Sequence, residues 1–399
     1  MGDRCSRRAF LTSSAAATLV GFGGCSSLTG SRTTNRSDGT NRGDATANSP
    51  AETASSIDQT ELEPLDVRGA IYIPARAFNF YQQWADYDPD VIERDLGYAS
   101  RVNLNAIRTW TSLEAWREEP ETLRKNVEHF LSTADENGQQ VLLGLFDFAG
   151  KEPTKQRLHD TDPRSATGVR EPSSEIMRTE QRWDEPREYV RWFVDHFGDD
   201  DRLLAIEIMN EPGWRSYVQQ FAHGMYETAD ELQGDVALTV GSTSMANNST
   251  YADWGVDAFQ FHYNFAESPA VYEDMLRSNR DVADDLDVPV WLSEWQRVRH
   301  ATGFASEPPE DQKSSNYSSL APLIHEAGFG NFFWSLMVKP AFVPAQRKHG
   351  VLNGLFHEDG AVWSLDDARS IKAMSGDPSF DGAQRQKWPE WASSVEDGT

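Results

Sequence analysis

Only two cysteines, Cys5 and Cys25, occur in 399 residues. A disulfide framework therefore cannot organise a chain of this size, and stability must come from core packing. Basic residues are in short supply as well: 37 Lys and Arg stand against 63 Asp and Glu, a net charge of −26. A field of that sign excludes nucleic acid and anionic lipid surfaces as partners. The longest small and apolar run, Thr12 to Gly24, is too short for an ordinary membrane-spanning helix. The sequence also lacks a His-x-His pair at a strand end, a His-Glu-x-x-His helix, a cysteine cluster and a phosphate-binding glycine loop. Neither a catalytic metal nor a cofactor is expected.

At the N-terminus, Ser6-Arg7-Arg8-Ala9-Phe10-Leu11 precedes the apolar run, and Phe22-Gly23-Gly24-Cys25 closes it. Paired arginines, apolar run, small residues and cysteine follow in the order of a twin-arginine signal with a lipobox. Residues 1–25 are read as that signal, with Cys25 as the lipidation site. The expected location is exported, either lipid-anchored on the outer face of the cytoplasmic membrane or extracellular, with lipid the sole membrane contact. Residues 26–63 are rich in Ser, Thr, Asn and Asp and nearly devoid of large apolar side chains, so they are read as a disordered tether. Residues 64–375 form the catalytic domain and 376–399 an acidic tail. The acidic residues are otherwise scattered, as in proteins of extreme halophiles, and are read as a solvation device for a monomer.

From Arg68 onward, short runs rich in β-branched and aromatic residues alternate with segments of helical period. The strands are predicted at Gly69 to Ile73, Ala106 to Trp110, Val141 to Phe146, Ala205 to Asn210, Val236 to Val240, Ala258 to Tyr263, Val290 to Glu294 and Asn331 to Leu336. Helices are predicted over Pro89 to Val102, Pro120 to Asn137, Glu185 to Phe197, Trp214 to Gln233, Pro269 to Leu286 and Pro309 to Ala327. Eight βα units make an α/β protein, a (β/α)8 TIM barrel in one catalytic domain. A doubly wound open sheet is the alternative, but Pro74-Ala75-Arg76-Ala77 stands where its glycine-rich turn would be. In a barrel, the functional residues should lie at the strand C-termini.

Two predicted strands end in glutamate. Strand four closes on Glu207-Ile208-Met209-Asn210-Glu211-Pro212 and strand seven on Ser293-Glu294-Trp295. Strands four and seven face each other across a barrel mouth, where two carboxyl groups about 5 to 5.5 Å apart suit retaining glycoside hydrolysis. Of Glu211 and Glu294, one would protonate the departing oxygen as acid/base and the other attack as nucleophile. Asn210 is placed to bond a sugar 2-hydroxyl, and Arg108 to keep Glu294 ionised. Glu207, deeper on strand four, is read as a buried partner of Arg108.

These residues resemble glycoside hydrolase family 5 and its clan of barrel enzymes. Asn210-Glu211-Pro212 resembles the acid/base motif, Glu294 the nucleophile, Arg108 the strand-two arginine, His262 the strand-six histidine, and Trp334 the tryptophan beneath the bound sugar. Ala106-Ile107-Arg108-Thr109-Trp110 is most similar to the β-mannanase branch. The resemblance implies a β-linked polysaccharide or oligosaccharide substrate of mannan, glucan or xylan type. Two departures stand out: Asp147 ends strand three where histidine is common, and His262-Tyr263 replaces the usual His-x-Tyr. Tyr263 is therefore an open candidate for supporting the nucleophile, and Asp147 is either a substrate acceptor or a loop cap. Trp110, Trp214 and Trp295 are further candidates for stacking on sugar. Endo-action is the first expectation, with exo-action or a glycan-binding lipoprotein without turnover as alternatives.

Overall fold

The protein is described from a computed structural model over residues 63–396, except 233, 265–267, 287, 297–315 and 349. The predicted leader, Cys25 and nearly all of the predicted tether lie outside the described residues. Eight parallel strands follow one another around a barrel: β1 (Arg68–Ile71), β2 (Ala106–Trp110), β3 (Gln140–Asp147), β4 (Leu203–Asn210), β5 (Leu238–Gly241), β6 (Phe259–Tyr263), β7 (Val290–Gln296) and β8 (Gly330–Trp334). β1 pairs with both β2 and β8. A parallel bridge between Thr239 and Ala258 joins β5 to β6, and Thr239 Oγ1 donates to the Ala258 carbonyl at 2.7 Å. Closure of this kind excludes the doubly wound sheet, which keeps two open edges.

The helices that follow the strands are α1 (Pro89–Arg101), α2 (Pro120–Glu136), α3 (Asp184–Phe197), α4 (Ser216–Glu231), the short α5 (Asn248–Ala252), α6 (Pro269–Asp284), α7 (Tyr317–Glu326) and α8 (Leu365–Ala373). Their starts are set by local chemistry. Asp88 and Ser268 accept from free amides at the heads of α1 and α6, each of which opens on proline. Gly138 and Gly328, just beyond α2 and α7, adopt φ of 70° and 69°, the left-handed conformation that ends a helix.

Strand alternation divides the core in two. Ile107, Leu143, Ile206 and Phe261 face outward and pack under the helices. Ile71, Ala106, Leu142, Ala205, Trp291 and Phe332 fill the barrel interior. Above that apolar plug sits a buried polar layer of Arg108, Glu207, Thr239 and Gln260. Arg108 pairs with Glu207 and the Gln260 amide donates to Thr239 Oγ1 at 3.1 Å, partners that burial requires.

The predicted tail does not part from the barrel at 376. A parallel bridge joins Val362 to Gln384, the buried Phe380 lies 5.2 Å from the Arg101 guanidinium, and Trp391 meets Phe78 edge-on at 6.3 Å. Aromatic side chains dock this segment, despite its acidic composition.

Candidate active site

Arg108 is the hub of the mouth. It projects inward from β2, fully buried, and its Nε and Nη2 donate to the two Glu207 oxygens at 2.9 Å each. That bidentate pair balances two charges that could not be buried singly. The remaining protons have specific acceptors: Nη2 also donates to Asn210 Oδ1 at 2.8 Å, and Nη1 to the Ser293 carbonyl at 2.9 Å and Glu294 Oε2 at 3.4 Å. The guanidinium lies 4.3 Å from the Trp110 ring, whose Nε1 donates to Glu207 Oε1 at 3.1 Å. Gly241 on β5 makes room for this cluster, since a Cβ there would lie 2.7 Å from Glu207 Oε1 and 2.9 Å from Arg108 Nη2.

A register irregularity between Glu207 and Asn210 interrupts the alternation of β4, and Asn210 turns inward just before Glu211. Its amide donates to Asp147 Oδ1 at 2.9 Å while its oxygen accepts from Arg108. Asp147 also accepts from the Ala149 amide at 2.8 Å, so it caps its loop and fixes the orientation of Asn210 at once. Burial raises the Asp147 carboxyl well above the usual range against those two donors, and the Glu211 and Glu294 charges add to the rise.

Glu211 stands just beyond β4 with φ of 49°, and its amide donates to the Gly241 carbonyl at 2.7 Å. Across the mouth, Glu294 comes from β7. Their side chains are 26% and 14% exposed, enough to meet a ligand while remaining largely desolvated. One ligand atom from each of Glu211, His262 and Glu294 lies within 4.8 Å of the others. His262 Nδ1 is 2.7 Å from Glu211 Oε1 and 3.8 Å from Glu294 Oε2. Among the described residues this is the one group arranged to receive a metal ion.

Burial raises both glutamates above the usual carboxylate range. Arg108 opposes the rise at each, but Glu294 alone is further held toward its charged form by an amide proton from Asn264, Nδ2 to Oε1 at 2.8 Å. Burial also depresses His262 to about 4, so its imidazole is neutral near pH 7.

The two glutamates line a cleft of about 340 Å³, together with Trp110, Asp147, Asn210, Asn264 and Trp334, while Arg108 and His262 support them from behind without lining it. Three expected site residues lie elsewhere. Tyr263 points to the outer face of its strand, one residue past the inward His262, and stacks on Tyr272 of α6 at 4.8 Å. Trp295, one residue past Glu294, is fully buried. It donates to Asn331 Oδ1 at 2.9 Å and meets Tyr317 of α7 edge-on. Both are packing residues because strand neighbours face opposite ways. Trp214 is 64% exposed and does not line the cleft. Conversely, Asn264, Phe80, Phe342 and Gln346 line the cleft and were not singled out from the sequence. Asn264 alone had a signal, its place two residues after His262, where the usual pattern carries tyrosine.

The sequence matches no protein-family model and no curated protein. Similarity is found among solved structures. An exo-β-1,4-mannosidase from Opitutaceae bacterium strain TAV5 superposes with a TM-score of 0.54 at 15% identity, over 80% of this chain and 62% of that one. The GH5_18 protein of Streptomyces cattleya, in complex with GlcNAc, gives 0.55 at 13% identity, over 81% and 83%. A hyperthermostable endo-1,4-β-D-mannanase from Thermotoga petrophila RKU-1 gives 0.50 at 13%, over 78% and 99%. What this chain shares with them is the (β/α)8 fold. The chain spans less than two thirds of the exo-mannosidase's length, and identities this low leave the chemistry to be argued from the site itself.

Proposed function

We propose that the protein is a retaining glycoside hydrolase acting on a β-linked glycan. The observation that carries this reading is the unequal pair at the mouth: Glu211 and Glu294 present atoms within 4.8 Å of one another, and only Glu294 is held by both Arg108 and Asn264. That spacing suits direct attack on the anomeric carbon, where an inverting enzyme needs a wider gap for water.

Glu294, the better supplied with donors, is the ionised member and Glu211 the protonated one. In the first step a Glu294 oxygen bonds to the anomeric carbon, the glycosidic C–O bond breaks, and the Glu211 proton passes to the departing oxygen. Glu211, now a carboxylate, then takes a proton from water, whose oxygen displaces Glu294 and restores both groups. Asn210, fixed between Asp147 and Arg108, is the partner for the sugar 2-hydroxyl, and Trp334 the platform beneath the ring. β-Mannosides lead the substrate panel because the structural neighbours named above include a mannosidase and a mannanase.

The test is a panel of β-mannan, β-glucan and xylan substrates in high salt, comparing wild type with Glu211→Gln and Glu294→Gln, with the first product followed by proton NMR. Retention of anomeric configuration, lost together with turnover in both variants, is expected. Inversion would overturn the assigned roles, and binding without hydrolysis by wild type would favour the glycan-binding alternative. The export signal, the Cys25 anchor and the solvating role of the acidic surface belong to the same proposal, placing the enzyme outside the cytoplasm. Cys25→Ser should release soluble protein, and continued membrane retention would refute the anchor.

A further inference from the structure

Three connections at the mouth are tied to one another by buried donors. Arg347, in the connection between β8 and α8, is buried, and its guanidinium donates to the Pro163 and Ala166 carbonyls of the β3–α3 connection and to the Phe342 carbonyl at 3.0 Å. The β3 and β8 connections meet a second time where Thr167 Oγ1 donates to the Phe342 carbonyl at 3.3 Å. Lys339, also fully buried, donates to the Pro74 carbonyl at 3.0 Å and to that of Ala77, joining the β8 connection to the β1 connection. Gln82 closes the circuit, its amide donating to the Leu158 and Asp160 carbonyls at 2.8 and 2.9 Å.

Both buried basic groups are thus held by main-chain carbonyls, and the Arg347 and Lys339 head groups lie 5.1 and 5.6 Å from the Phe78 ring. An ordinary surface connection has no need to bury such groups, because desolvating a cation is unfavourable; here burial lowers the Lys339 ammonium well below the usual lysine range and leaves Arg347 Nε without an acceptor. The result is a wall over the β1, β3 and β8 side. It presents Phe80, Thr167, Gly168, Phe342 and Gln346 to the cleft, and it forms without residues 297–315. The opposite side has nothing comparable among the described residues: β4 and β6 pass to their helices through connections as short as 211–215 and 264–268.

We propose that this wall makes the cleft blind-ended, so that it takes the single non-reducing terminal sugar of a β-glycan and the enzyme is exo-acting; this rests on the hydrolase reading above. The orientation follows from Glu211. The acid that protonates the leaving oxygen stands at the end of β4, away from the wall, so the leaving chain extends that way and the terminal sugar ring, the one Glu294 attacks, occupies the closed end, over Trp334. A polymer cannot thread past three interlocked connections.

The experiment uses β-1,4-linked hexasaccharides of mannose, glucose and xylose labelled at the reducing end, with aryl β-monosaccharides and polymer viscosity in parallel. Expected are free monosaccharide as the first unlabelled product, a labelled ladder shortening one sugar at a time, turnover of one aryl glycoside, and unchanged viscosity. Short labelled fragments at low conversion with falling viscosity would overturn the blind end while leaving the hydrolase intact. No turnover of any substrate would overturn both. Arg347→Ala, with folding checked by circular dichroism, should release disaccharides and longer fragments; a folded variant still yielding monosaccharide alone would refute the clasp. Should that variant not fold, the wild-type ladder decides.

Discussion

Asn264 donates its side-chain amide to Glu294 Oε1 at 2.8 Å, from the position where the resemblance leads one to expect a tyrosine hydroxyl. A short amide does there what a long phenol would do from the same strand end, while the adjacent Tyr263 turns away to Tyr272. A donor to a carboxylate favours its charged form. Removing it in Asn264→Ala should therefore raise the Glu294 pKa and move the acid limb of the kcat/KM profile to higher pH, with activity down by about tenfold at neutral pH. An unmoved acid limb would show that Asn264 is not the support of the nucleophile.

The glutamate pair carries a stability cost as well as a chemical role. Burial raises both carboxyls, and at Glu294 the Glu211 charge adds to the rise, so near neutral pH unfolding relieves a charge that the fold disfavours. Glu211→Gln and Glu294→Gln should each raise Tm, by roughly 1–3 °C, while lowering activity by a factor of about 100 to 10,000. Calorimetry at pH 7 in matched salt checks this. A fall in Tm for both variants would mean that the charges are stabilised in the native state.

The facing glutamates were legible because barrel geometry puts strand ends where chemistry happens, and two strand-terminal glutamates need no long-range information to be noticed. The register of single residues was less so. Trp295 and Tyr263 each sit one position from an inward residue, and one position on a strand is the difference between cleft and outer core. Asn210 turns inward only through an irregularity in β4, which the alternating pattern does not announce. The clasp of Arg347 and Lys339 had no local signal at all, since its acceptors are carbonyls lying as much as 265 positions away in the chain.

Glu171 gives the mouth a pH dependence of its own. Its buried carboxyl accepts from Ser112 Oγ at 2.9 and 3.0 Å and from the Glu114 amide at 3.0 Å, holding the β3–α3 connection to the short helix Leu113–Glu118 between β2 and α2. Burial nevertheless raises its pKa from 4.5 to about 8. Between those values the native state binds a proton that the unfolded chain has lost. The associated stability is complete below pH 4.5 and declines as pH rises toward 8. Glu171→Gln, always neutral, should match wild type near pH 4 and surpass it in Tm near pH 8.5, a crossover about as wide as the shift. A Tm difference independent of pH would contradict the assigned proton.

Arg108 separates stability from function in a testable way. Arg108→Met would strand Glu207 as an unpaired buried carboxylate, a loss of about 3–5 kcal/mol, and the variant should unfold at markedly lower denaturant. Adding Glu207→Gln removes the stranded charge yet keeps an acceptor for Trp110 Nε1, which now donates to Glu207 Oε1 at 3.1 Å. Most of the lost stability should return in the double variant. Activity should not, because the donors to Glu294 and Asn210 went with the guanidinium; a deficit of about 100-fold or more should persist. If turnover recovered together with stability, Arg108 would be a structural residue alone, and the ionisation of Glu294 would have to rest on Asn264.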